Sequence, residues 1–176
     1  MDGRARAPAA GTILNALATG YGSAFAIDRY VTATVSLGGD AVRSEIDDQP
    51  DADGTLIETA VAAVLDEFGS GQGATVRTES EVPLASGLKS SSAAANASVL
   101  ATLSALDELD TVSKEQAARI GVEAAREAGV TVTGAFDDAS ASMLGGLTIT
   151  DNTADELLDR ESVEWDVAVW IPPEKG

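Results

Sequence analysis

The run YVTATVSL, residues 30–37, alternates strictly between apolar and polar positions. Val31, Ala33, Val35 and Leu37 share one side and Thr32, Thr34 and Ser36 the other, which predicts a half-buried strand. Gly38 and Gly39 follow, so a hairpin turn into AVRSEI is expected. After the acidic loop IDDQPDADG the period becomes helical in TLIETAVAAVLDEFG. Ile57, Val61, Val64, Leu65 and Phe68 fall on one face, Thr55 and Glu58 have capping-box spacing, and Gly69 ends the helix. GATVRTESEVP reads as a strand that stops near Pro83.

A long helix is expected from the serines at 90–92 to about Leu109, with Val99, Leu100, Leu103 and Leu106 on one stripe. Its neighbour starts at a second capping box, Ser113 with Gln116, and ends at Gly129. TVTGAFDDASASMLGGLTIT follows, and then an acidic loop, DNTADELLD. WDVAVWIP is expected to be the last strand, with Trp165, Val167, Val169 and Ile171 on one side. IPPEKG comes straight after it, so the expectation is an N-terminal portion of a longer protein.

Composition narrows the class. Hydrophobic residues make up 44% of the 176 positions but aromatics only 4%, so the core must be aliphatic and alanine-rich. Eleven Lys and Arg stand against 29 Asp and Glu, a net charge of −18. That surface repels phosphate backbones and anionic lipids, which argues against nucleic-acid and membrane binding. It suits a solvent of high salt, where repulsion is screened over about 3 Å at 1 M, although an acidic interaction surface would give the same count. There is no cysteine and no histidine, so disulfides, thiolate metal sites and imidazole catalysis are excluded for these residues. No apolar run is long enough for a membrane span, and MDGRARAPAAG has no signal-peptide character, so a cytoplasmic location is expected.

PLASGLKSSSAAAN, residues 83–96, carries the candidate chemistry. A glycine turn leading into a helix start is an anion trap, because the first-turn N–H groups lack partners and the helix dipole is positive there. Gly87 permits close approach, Ser90, Ser91 and Ser92 offer N–H groups and hydroxyls for phosphate or magnesium, and Lys89 adds charge. The plain alternative is an ordinary serine N-cap before an alanine helix. The run is not a Walker A loop, since GxxxxGK[ST] is absent.

These residues resemble the second motif of the GHMP kinases, usually Pro-x-x-x-Gly-Leu-Gly-Ser-Ser-Ala, with Lys89 in place of a glycine. GLKSSSAAAN, with GAFDDASAS downstream and APAAGTILNALATGYGSAFAID at the start, is similar to the archaeal shikimate kinase branch of that superfamily. The resemblance implies an α+β fold, a mainly antiparallel sheet packed with helices like ribosomal-protein domain 2. Residues 1–170 would be the N-terminal, ATP-binding domain, and 171–176 the start of a C-terminal ferredoxin-like domain. It implies ATP-dependent phosphorylation of the shikimate 3-hydroxyl, with ATP and Mg2+ as cofactors, in aromatic amino-acid biosynthesis. The alternatives are a mevalonate or homoserine kinase, or an inert nucleotide-binding fragment. The phosphates would meet Pro83, Leu84, Ala85, Ser86, Gly87, Leu88, Lys89, Ser90, Ser91, Ser92 and Ala93.

Phosphoryl transfer to an alcohol needs a group that orients or deprotonates the hydroxyl, and without histidine a carboxylate is the natural one. Asp137 and Asp138 follow a glycine turn in TGAFDDASASMLGG; either could instead cap a helix from Ala139. By resemblance Asp138, with a glycine pair seven residues on, is the catalytic aspartate and Asp137 its stand-in. By the same resemblance Ser91 and Glu127 would hold magnesium; Glu127 and Glu123, one helical turn earlier, could equally be solvated helix charges, the reading favoured for Glu123. Thr12, Asn15, Thr19 and Gly20, with Tyr21 and Gly22, are candidates for the acceptor and nucleotide pocket or are simply packing. An anionic acceptor calls for a cation, and Arg4, Arg6 and Arg29 are available, although Arg29 beside Asp28 could be a surface pair.

Overall fold

The structure, a computed structural model, describes residues 1–47, 49–83, 86–131 and 133–170. Phosphate-loop residues Leu84 and Ala85, Ile171 of the expected last strand, and the expected domain start at 171–176 lie outside the described residues.

The frame is one six-stranded sheet. β1 (Asp2–Leu14) and β2 (Tyr21–Leu37) form a long antiparallel pair, joined by residues 15–20. The other edge of β2 is shared by two partners. Val31–Leu37 pairs with β4 (Ala74–Ser80), and Tyr21–Phe25 pairs with β5 (Leu147–Asp151). β3 (Val42–Ile46) and β6 (Glu156–Glu161) complete the order β3-β4-β2-β5-β6, with β1 off this path on β2. The alternation in 30–37 appears as expected, with Val31, Ala33 and Val35 buried.

The hairpin expected after Gly38-Gly39 does not form. β3 lies beyond β4 and pairs with it in parallel, because α1 (Thr55–Phe68) intervenes and makes the connection a crossover. The capping box at Thr55 is also absent. Gly54 is the N-cap, Thr55 hydroxyl donates to Asp53, and Glu58 accepts from the Ser44 N–H and hydroxyl at 3.0 and 2.8 Å. Glu58 therefore ties the helix to β3 rather than closing its own first turn. The box at α3 (Lys114–Glu127) forms as its spacing predicts, with both Ser113–Gln116 hydrogen bonds present.

α2 (Ser90–Leu106) is the central helix, and it is not a one-stripe helix. Its alanines at 93, 94, 97, 101 and 105 join Ala7, Val31, Ala33 and Val35 in the core against the sheet. Its other side puts Ala95, Val99 and Leu103 into a second core with α1, α3 and α4 (Phe136–Leu144), around Val64, Val122 and Phe136. Small side chains let the helix approach the sheet closely: a Cβ on Gly3 of β1 would lie 2.1 Å from the Ala101 carbonyl oxygen. This is why a composition poor in aromatics still closes a core.

Two expectations fail at the C-terminal side. DNTADELLD is not simply a loop, since β6 begins at Glu156 within it and pairs antiparallel with β5. Residues 162–170 form no strand, and Trp165, Val167, Val169 and Trp170 are exposed. Their alternation is real, but no neighbouring strand offers hydrogen bonds among the described residues; Trp165 instead meets the Phe25 ring edge-on at 5.7 Å. No helix among the described residues is long and apolar enough to cross a membrane.

Candidate active site

The start of α2 is not an ordinary serine cap. Its N-cap is Lys89, with no side-chain cap hydrogen bond, and the helix ladder begins with Ala93 N–H donating to the Lys89 carbonyl at 3.1 Å. The N–H groups of Ser90, Ser91 and Ser92 thus precede the first intrahelical bond at a positive dipole end. Ser91 is exposed and Ser92 half-buried, while Ser90 is buried. The preceding loop is tied to the sheet where Ala10 N–H donates to the Leu88 carbonyl at 3.1 Å, and Leu88 packs against Ala9, Ile27 and Val82.

Lys89 itself sits in the left-handed region, φ 57° and ψ 35°. For a side-chain-bearing residue this costs about 1–2 kcal/mol. The conformation aims its side chain at α4, where Nζ lies 3.1 Å from Asp138 Oδ2.

α4 begins after Gly134 and Ala135, both at positive φ, and carries both aspartates in its first turn. Neither caps the helix. Asp137, 4% exposed, is held by Asn152, whose Nδ2 donates to its carboxylate at 2.8 Å. Asn152 Oδ1 in turn accepts from the Asp137 N–H at 3.1 Å and from the Thr150 hydroxyl at 2.7 Å. Asp138 faces outward to the cleft. Its Oδ1 accepts from the Thr12 hydroxyl at 3.3 Å and its Oδ2 meets Lys89. Burial pushes the Asp138 carboxyl above its usual range and the Asp137 charge adds to this, while Lys89 and Thr12 pull against them.

Two adjoining clefts meet at this pair. One, of about 360 Å³, is lined by Thr12, Asn15, Leu17, Thr131, Thr133, Asp137 and other residues of the β1–β2 turn and the 129–135 loop. The other, of about 240 Å³, is lined by Ser91, Ser92, Asn96, Gly121 and Val122 among others. Lys89, Asp138, Val130, Thr131 and Ala135 line both. The helix entrance and the second aspartate therefore share a cavity.

Not every expected residue comes here. Thr12 and Asn15 line the first cleft, but Thr19 and Gly20 do not. Thr19 accepts the Tyr21 N–H within its own turn, and Gly20 borders a neighbouring hollow with Arg126 and Asn152. Tyr21 is half-exposed on β2, and Gly22 packs where a Cβ would lie 2.6 Å from Asp137 Oδ2. Pro83 borders a separate cleft with Ser90, while Ser86, Gly87 and Ala93 line neither of the two at Asp138. Glu127 and Glu123 are exposed on α3 and line neither cleft. None of the arginines enters either one. Arg4 pairs with Glu79, Arg6 lies over the Tyr30 ring, and Arg29 borders a cavity across the sheet near Trp165.

Three residues outside the expected set build the site. Asn152 fixes Asp137. Asn96 donates from Nδ2 to the Ala139 carbonyl at 2.9 Å, locking α2 to α4, and its buried Oδ1 is unpaired among the described residues. A polar residue inside an alanine run was the available signal for Asn96. Arg126 reaches the Thr133 carbonyl and both Asp155 oxygens, bracing the loop that lines the clefts. No sequence pattern announces that contact.

Comparison with known proteins identifies the family. The GHMP kinases N terminal domain family matches residues 55–146. A shikimate kinase of Halobacterium salinarum is 64% identical over the whole of this chain and 63% of its own length. One from Methanococcoides burtonii is 51% identical, over 97% of this chain and 59% of its own. This chain thus spans about three fifths of the length of such curated relatives. Among solved structures, a homoserine kinase from Cytophaga hutchinsonii superposes with TM-score 0.72 at 21% identity, covering 92% of this chain and 51% of that one. Lactococcus lactis galactokinase gives 0.69 at 17%, covering 93% and 47%. Both likenesses speak for the α+β fold alone.

Proposed function

The chain belongs to the GHMP kinase family, and from that premise we infer that residues 1–170 are the ATP-binding domain of a shikimate kinase. The reaction is transfer of the γ-phosphoryl group of ATP to the 3-hydroxyl of shikimate, in aromatic amino-acid biosynthesis. One observation carries the reading: Ser91 and Asp138 line the same cavity, so a phosphate at the helix entrance lies beside a carboxylate.

The roles follow from the two clefts. The N–H groups at the helix start and the hydroxyls of Ser91 and Ser92 receive the phosphates. The acceptor lies in the cleft lined by Thr12 and Asn15, where Asp138 takes the hydroxyl proton. A carboxyl pushed upward by burial is a better base than an exposed one. Asp137 is the less suited of the two, because it lines the acceptor cleft but not the cleft of Ser91 and Ser92, whereas Asp138 lines both.

Magnesium fits only in part. The Ser91 hydroxyl is in the cleft, whereas Glu127 is outside it, and no cluster of three acidic side chains suited to a metal exists among the described residues. Mg2+ would be held by the triphosphate and Ser91, where it would neutralise phosphate charge.

The 64% identity to a Halobacterium salinarum protein fits a charge of −18 and a cytoplasm of high salt. The test is incubation of the full protein with ATP, Mg2+ and shikimate in molar KCl, scoring shikimate 3-phosphate against mevalonate and homoserine as rival acceptors. Phosphorylation of shikimate alone is expected. Turnover of a rival in its place, or no product, overturns the reading.

A further inference from the structure

Lys89 is placed unlike the other cations among the described residues. Among the described residues lining the two clefts it is the one Lys or Arg, and it lines both. Its backbone work needs no side chain: the Lys89 carbonyl starts the α2 ladder, and glycine would adopt φ 57° without strain. The strained conformation instead delivers an ammonium, 29% exposed, to a carboxylate that is 9% exposed. The ammonium has three donors, and Asp138 Oδ2 takes one. The remaining donors lie where the cleft of Ser91 and Ser92 joins that of Thr12 and Asn15.

We propose that Lys89 is a catalytic residue, its ammonium bridging the Asp138 carboxylate and the phosphoryl group in flight between the two clefts. The proposal rests on the reading that Asp138 accepts the hydroxyl proton. In the step, the acceptor oxygen forms a bond to the γ-phosphorus while its proton passes to Asp138. The bond from that phosphorus to the β–γ bridging oxygen breaks, and its electron pair leaves on ADP. Lys89 holds the carboxylate toward the acceptor side and covers negative charge on the equatorial phosphoryl oxygens as the group crosses.

The test uses the full protein with Lys89→Gly and Lys89→Cys. Glycine relieves the backbone while removing the cation, so Lys89→Gly should melt within about 3 °C of the parent. Its kcat should fall about 100-fold or more, with the Kd of a fluorescent ATP analogue rising less than about tenfold. These 176 residues contain no cysteine, so Lys89→Cys can be alkylated with 2-bromoethylamine to rebuild a lysine-like ammonium. Aminoethylation should restore kcat at least about tenfold, and ethylation with bromoethane should not, with the alkylated parent as control. Full kcat in Lys89→Gly, or equal rescue by the neutral ethyl group, overturns the proposal. A parent protein that never phosphorylates shikimate overturns the functional reading first, and the two failures are distinguishable in one assay.

Discussion

Asp137 and Asn152 hold each other at two points: the asparagine amide donates to the carboxylate at 2.8 Å, and the Asp137 N–H donates back to the asparagine oxygen at 3.1 Å. Both residues are buried, at 4% and 3% exposure. The clasp joins the first turn of α4 to the end of β5, and Asn152 N–H extends it to the Gly20 carbonyl at 2.8 Å. It holds the Asp137 carboxylate at the border of the first cleft, while Asp138 next to it lines both clefts.

Asn152→Ala should therefore cost about 2–4 kcal/mol, since it leaves a buried carboxylate and a buried N–H without their partner. Urea unfolding in molar salt measures it. The variant should keep some turnover, because Thr12 and Lys89 each contact Asp138 without it. A loss no greater than that of an exposed asparagine would show that Asp137 does not rely on the clasp.

Asp138→Asn should separate activity from stability. Its carboxyl is raised by burial and by Asp137, so the folded state binds a proton more tightly than the unfolded chain. Stability contributed by this group is then lost as pH rises from the unfolded value, about 3.9, through the raised folded one. The amide abolishes that loss. The variant should melt higher than the parent near neutral pH, with the gain shrinking to nothing toward about pH 4. Its kcat should fall by about 100-fold to 10,000-fold. Melting curves across pH, set beside the kinase assay, check both halves.

These residues also mark how far the sequence could be read. The helix entrance at Ser90, the strand of Val31, Ala33 and Val35, and the Ser113 capping box were legible because each depends on neighbours within a few positions. The parallel placement of β3 was not, since the pairing partner lies beyond an intervening helix. Nor was the fate of WDVAVWIP, whose alternation says which faces differ and not whether a neighbour strand is present. Glu127 stood at a spacing that marks a magnesium ligand by resemblance, yet the turn of α3 puts it on the solvent side. Asn152 was hidden inside an acidic segment, and only the sheet brings it under Asp137.

Gly3→Ala tests the closeness of α2 to the sheet. The added Cβ would lie 2.1 Å from the Ala101 carbonyl oxygen and 2.5 Å from the Ala105 nitrogen, both backbone atoms of a buried helix. Neither can rotate away, so the helix or β1 must move, at a cost of about 1–3 kcal/mol or more. The contact is at the far end of α2 from Lys89. The substitution should lower the melting temperature while leaving the KM for ATP within about twofold. A KM raised as much as the stability falls would mean that the whole helix shifts as a rod.

Arg126→Met tests the loop that roofs both clefts. The guanidinium makes paired hydrogen bonds to Asp155 at 2.6 and 2.7 Å and a third to the Thr133 carbonyl at 3.1 Å. It lies so close under Gly134 that a Cβ there would be 2.5 Å from it. Arg119, two turns earlier on α3, donates to the Asp155 carbonyl at 3.0 Å, so Asp155 is held by two arginines. Methionine keeps the stem packed and removes all three bonds. Stability should fall by about 1–2 kcal/mol, as the pair is partly exposed. The larger effect should be kinetic, since Val130, Thr131 and Ala135 of this loop line both clefts. KM for acceptor and nucleotide should rise together, while Asp138 keeps its contacts with Lys89 and Thr12 and the chemical step at saturation is largely preserved. Initial-rate kinetics with each substrate varied in turn decides it, and a drop in kcat with both KM values unchanged would place the role of Arg126 in the chemistry rather than in the shape of the cleft.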